Sequence, residues 1–192
     1  MKEKLTLRNA VILCAAFIGL LFFFLGFAVK GKLSFVEGGT NANYYFSNAI
    51  WCDGYVKGFA NGVQIVEGEV TGKPFALPIV GIVMLLLAVI AAVVVTFALK
   101  DKKVQKIALI SAGAFALIGG IFVFFVGESA VRTYYYLNSG TLEGLSDFKN
   151  AMKAIGASWG PNGLGVVTGI FFILVGCAFG AAPFLPEKKL LK

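Results

Sequence analysis

The sequence predicts an all-α integral membrane protein: a four-transmembrane-helix antiparallel bundle with a small mixed α/β extracellular cap. Three observations carry this reading. Of 192 residues, 58% are apolar and only 14% charged, whereas soluble domains run nearer about half apolar and a quarter charged. Four long stretches contain no Asp, Glu, Lys or Arg. The cations between them cluster at every second connection, as the retention of Lys and Arg in the cytoplasm requires. The chain reads as one domain over 1–192.

The first stretch, Asn9 to Val29, contains thirteen Leu, Ile, Val or Phe residues, worth about 4 to 8 kcal/mol of insertion free energy. As a helix it is about 31 Å long, enough for a hydrocarbon core of about 30 Å. It exceeds the apolar segment of a secretory signal, and Ala28-Val29-Lys30 offers no small-x-small cleavage site, so a retained first helix is predicted. The next spans are 77–99, 107–126 and 164–185. The connector 100–106 is short and makes spans two and three a hairpin.

The N-terminal tail, the connector and the tail 186–192 hold ten cations and three acids, while the loops 30–76 and 127–163 hold seven of each. The whole net charge of +7 therefore lies on one side, and both termini are expected in the cytoplasm of a plasma membrane. Lysines at a bilayer surface meet anionic headgroups, so the lipid bilayer is the implied partner and the basic balance carries no nucleic-acid signal. Lysine outnumbers arginine fifteen to two, the usage of an AT-rich, bacterial source.

Helices in lipid associate by close approach of small residues. The fourth span has Gly165-x-x-x-Gly169 and Gly176-x-x-x-Gly180, and the third has Ala112, Ala116 and Gly120 at strides of four, with Gly113 and Gly119 alongside. These faces suit either packing within the bundle or docking against another subunit, a second copy or another membrane protein.

All six tyrosines and both tryptophans fall in the two outer loops. Trp51, Tyr134, Tyr135, Tyr136 and Trp159 form the candidate outer aromatic patch, either an interfacial belt over a compact cap or a stacking site for a sugar or lipid headgroup. Leu142, Leu145, Phe148, Met152 and Ile155 recur at helical spacing and predict a short amphipathic helix over about 142–155, stopped by Gly156, before a turn-rich re-entry at 159–163. In the first loop, 33–36 and 63–66 suggest short strands with tight turns. Gly54, Gly58 and Gly62 fit either a close-packed helix or successive turns.

Chemistry is sparsely signalled. Histidine is absent, which removes the commonest general acid/base and metal ligand. No metal site, cofactor motif, catalytic triad or C-x-x-C occurs. Of three cysteines only Cys52 is outside, buried in the cap or paired to another chain, while Cys14 and Cys177 fall in spans one and four. Asp53 and Glu128 are the acids that a lipid- or cell-wall-precursor enzyme would use. No ionisable group lies within a span, which disfavours an ion pathway through this chain alone.

The order of spans, with a longer first outer loop containing Trp51-Cys52, resembles the layout of the claudin-like four-helix proteins. That family carries Gly-Leu-Trp followed by two bonded cysteines; here Ala49-Ile50-Trp51 precedes a single Cys52, so the resemblance implies layout and no function. The expected function is non-enzymatic association with itself or other membrane proteins. An accessory transporter subunit and a membrane enzyme are the alternatives.

Overall fold

The computed structural model describes residues 6–47, 53–71 and 73–186. In chain order the elements are α1 (Leu7–Gly26), β1 (Gly31–Glu37), β2 (Thr40–Phe46), β3 (Asp53–Ala60), β4 (Val63–Thr71), α2 (Ala76–Ala98), α3 (Lys102–Val123), α4 (Val126–Ser139), α5 (Leu145–Ala154), β5 (Ser158–Pro161) and α6 (Gly163–Ala181), followed by a 3-10 turn, Ala182–Phe184. Among the described residues, four helical stretches are long and apolar enough to cross a membrane: Leu7–Gly26, Ala76–Ala98, Lys102–Ser139 and Gly163–Phe184. Two compact units result. Among the described residues, one comprises 6–25, 80–121 and 168–186; the other comprises 26–47, 53–71, 73–79 and 122–167.

The helical unit is held by backbone approach at small residues. Antiparallel α3 and α6 meet at two levels. A Cβ on Gly113 would stand 2.7 Å from the Gly176 carbonyl oxygen and 2.7 Å from the Gly180 nitrogen, and one on Gly120 would stand 2.8 Å from the Gly169 carbonyl oxygen. A Cβ on Gly119 would stand 2.6 Å from the Gly81 carbonyl oxygen of α2, and one on Gly19 of α1 would stand 2.7 Å from the Val89 side chain of α2. Where the opposing atom is backbone, as at Gly113, Gly119 and Gly120, such spacing is open to glycine alone, and in lipid the resulting dispersion contacts must supply what water-driven burial does not.

Helix ends depart from the expected spans for local reasons. α3 starts at Lys102, inside the predicted connector, because the Asp101 carboxylate accepts the backbone N–H groups of Lys103 and Val104 at 2.8 and 3.3 Å, an N-cap that makes the lysine-rich stretch helical. α1 stops at Gly26, not at 29: Val29 is fully buried, and Lys30 exchanges hydrogen bonds with Asn162, its N–H donating to Asn162 Oδ1 at 3.2 Å and its carbonyl accepting the Asn162 N–H at 2.9 Å. α6 ends at Ala181 and passes into a 3-10 turn containing Pro183, which cannot donate into a continuing helix.

The second unit is mixed, with strands over 33–36 and 63–66 where the sequence predicts them. It contains one five-stranded antiparallel sheet in the order β4-β3-β2-β1-β5, four strands from the first loop and one from the second. Two-residue turns with positive φ join the hairpins: Gly38-Gly39 (+55° and +81°) and Asn61-Gly62 (+47° and +83°), the conformation that matches the twist of paired strands. Gly58, one of three glycines spaced by four, sits in β3 because the Tyr44 ring lies 2.8 Å from where its Cβ would be. Gly62 is a turn, so no helix runs through that segment.

The second loop was expected to contain one helix and a turn-rich re-entry. α5 lies within the predicted 142–155, but α4 precedes it after a break at Phe124-Phe125, and Ser158–Pro161 pairs with β1 instead of turning freely. Gly127 permits this: a Cβ there would stand 2.3 Å from the Gly160 nitrogen, so α4 and β5 pack backbone on backbone. The core of this unit includes the buried Leu33, Phe35, Phe46, Val56, Val126 and Val131.

Candidate functional site

Part of the predicted seam between α3 and α6 is formed by glycines that approach the opposing backbone. Ala112 and Ala116 are buried, Gly120 meets Gly169, and Gly113 meets Gly176 and Gly180. Gly165 lies beyond that seam: its Cβ would strike Pro161 at 2.6 Å and Val29 at 2.8 Å. The two glycines of the second GxxxG also differ in role. A Cβ on Gly176 would clash at 2.7 Å with the Gly113 carbonyl oxygen, whereas one on Gly180 meets nothing within 4 Å.

Four residues of the candidate aromatic patch are described, and Tyr134 and Tyr135 share a contact with Phe148, at 6.2 and 4.8 Å between ring centroids. Tyr134 packs inward, its ring centroid 5.1 Å from Tyr44 and 5.8 Å from Phe35. Tyr135 lies against Phe148 at 4.8 Å, and its hydroxyl donates to the Glu143 carbonyl. Tyr136 is covered by the Lys73 ammonium 4.1 Å from its centroid. Trp159 donates its indole N–H to Glu128 at 2.9 Å, with Lys153 5.6 Å over the ring. Trp51 and Cys52 lie outside the described residues, as does the side chain of Asp53.

Glu128 is engaged structurally: the Lys149 ammonium pairs with one carboxylate oxygen and Trp159 donates to the other, joining α4, α5 and β5. Glu67 forms a second charged centre on the sheet. Hydrogen bonding from Lys57, at 2.8 Å, and then from Gln64 and Tyr55 holds its carboxyl down to about 2. The same contact raises the Lys57 ammonium and, from its own hydrogen bond to Glu67, the Tyr55 phenol. No group of three or more metal-ligating side chains occurs among the described residues.

Two features escaped the sequence reading. Gln105, at 7% exposure, accepts Arg8 Nη2 at 3.2 Å and donates to the Leu99 carbonyl, so it ties α1 to the end of α2. The other is the edge position of β4: the pattern over 63–66 predicts a strand but not its exposure on both faces, with Val63 67%, Ile65 50% and Val66 41% exposed. The Asn61-Gly62 dipeptide between alternating residues was the available signal for the β3–β4 hairpin.

Comparison with known proteins assigns no relationship: no family model matches the chain, and no curated protein matches it.

Proposed function

We propose that this chain is a multi-pass plasma-membrane protein with both termini in the cytoplasm, and that its sheet associates non-catalytically with a second copy or with other membrane proteins through the edge of β4. The carrying observation is that edge. A long strand with exposed branched residues, at the edge of the sheet among the described residues, is a template for strand addition, which proteins otherwise blunt with short edges or charge. Glu67, one of its two acids, is drawn sideways to Lys57 and guards the edge less than its charge suggests. The helix glycines serve internal packing in this reading, which leaves the sheet as the adhesive surface. Covering the exposed parts of Val63, Ile65 and Val66 would contribute about 1 kcal/mol each.

Ile65→Cys in a Cys52→Ser background tests this in native membranes. Oxidation is expected to trap a disulfide-linked pair, or an adduct with another membrane protein, and Val63→Lys is expected to suppress it. Absence of any adduct from Ile65→Cys refutes association through β4. In intact cells an impermeant maleimide is expected to label that cysteine and to spare one placed at Lys100; the reverse pattern refutes the orientation.

A further inference from the structure

Where α1 and α6 run side by side, they enclose an apolar slot of about 340 Å³, lined by Val11, Cys14, Ala15 and Ile18 of α1 and by Phe171 and Ala178 of α6, among others. The slot has a definite end. Beyond Ile18 the helices close: a Cβ on Gly19 would lie 3.4 Å from Val175, and Phe22 stacks on Phe171 with centroids 4.1 Å apart and planes 10° from parallel. From Ala10 to Ile18 it extends about 12 Å along α1, most of the roughly 15 Å depth of one leaflet's hydrocarbon. Small side chains on α1 make the space, and no hydrogen-bonding partner for a polar ligand lines it apart from the Cys14 thiol.

The other end is cationic. Arg8 shares the helical stripe of Val11, Ala15 and Ile18, one turn beyond the slot, and its guanidinium is held at that end by Gln105. The neighbouring Lys106 lies 4.4 Å over the Phe184 ring, just past the end of α6. With Lys100, Lys102 and Lys103 exposed nearby, this end carries five cations against the single acid Asp101 among the described residues. A blind hydrocarbon slot beneath a cluster of cations matches a ligand with an alkyl chain and an anionic head.

We propose that the α1–α6 slot binds one acyl chain of an anionic phospholipid, whose phosphate is held at the Arg8 and Lys106 end. This inference does not depend on association through β4.

The chain contains its own probe and control, because Cys14 lines the slot while Cys177, also exposed, does not. In a Cys52→Ser background purified in a non-lipid detergent, N-ethylmaleimide alkylation of each cysteine is followed by mass spectrometry as lipid is added. Phosphatidylglycerol is expected to protect Cys14 saturably and leave Cys177 unchanged. Phosphatidylcholine with the same chains is expected to need a higher concentration, by about fivefold for each cation engaged. Arg8→Gln and Lys106→Gln are each expected to remove about fivefold of that preference, and Val11→Phe, which fills the slot, to weaken protection by both lipids. Equal protection by the two lipids, protection of both cysteines alike, or none at Cys14 overturns the proposal.

Discussion

Replacing Gly113 with alanine places one methyl group against α6 where no side chain can swing away. The new carbon would lie 2.7 Å from both the Gly176 oxygen and the Gly180 nitrogen, which are backbone atoms. Ordinary contact needs about 0.7 Å more, so the two helices must separate by about that distance. A gap of that size forfeits a quarter to a half of each affected dispersion contact, and overpacking of this kind costs about 1 to 3 kcal/mol. Better helix propensity of alanine returns about 1 kcal/mol, leaving a net loss of up to about 2 kcal/mol. Gly176→Ala is expected to cost a similar amount, because its Cβ would strike the Gly113 oxygen from the other side at 2.7 Å. Gly180→Ala, four residues on in the same motif, meets nothing within 4 Å and is expected to be neutral or slightly stabilising. The Gly113→Ala and Gly120→Ala pair acts on one separation of the same two helices, so the double variant is expected to lose less than the sum of the singles. Reversible unfolding in mixed micelles, followed by helical circular dichroism, measures the four single variants and the double. Equal stability of Gly113→Ala and the parent refutes the reasoning, as does equal damage from Gly176→Ala and Gly180→Ala.

Two further outcomes follow from the charged centres of the sheet unit. Glu67 is held down to about 2 in the folded chain, against about 4.3 when unfolded. Its contribution to stability is therefore complete above the unfolded value and is lost as pH falls toward about 2. Because the group is exposed, high salt is expected to weaken the effect. A side-chain carbon NMR titration is expected to give a midpoint near 2 and to move upward in Lys57→Met; a parent midpoint near the unfolded value contradicts the contact. Glu128→Ala removes the anchor shared by Lys149 and Trp159 and is expected to cost about 2 kcal/mol, in the range for hydrogen bonds to charged groups. In a Trp51→Phe background the Trp159 emission is expected to shift to the red, with Glu128→Gln intermediate because an amide oxygen still accepts the indole N–H. Unchanged emission and unchanged melting in Glu128→Ala rule this role out.

The four apolar helices were legible because insertion into lipid depends on summed side-chain transfer over some twenty residues, a property of the linear chain. Their ends were less so. The Asp101 cap was written locally but competed with the reading of a lysine-rich connector. α4 was not predicted, since Glu128, Arg132 and three consecutive tyrosines give its stretch no simple apolar period. β2 was likewise unseen: Tyr44, Tyr45 and Phe46 adjoin in sequence, and only pairing with β1 and β3 separates them by face.

The chain on its own determined how many stretches favour lipid, which ends carry the lysines, and which small residues allow close helix contact. Tertiary structure alone decided which glycine meets which backbone, which partner each described aromatic residue packs on, and that β4 is left at an edge. Transfer free energy and charge accumulate along the sequence, whereas a seam, a slot or an edge exists only once distant segments have taken their places beside one another.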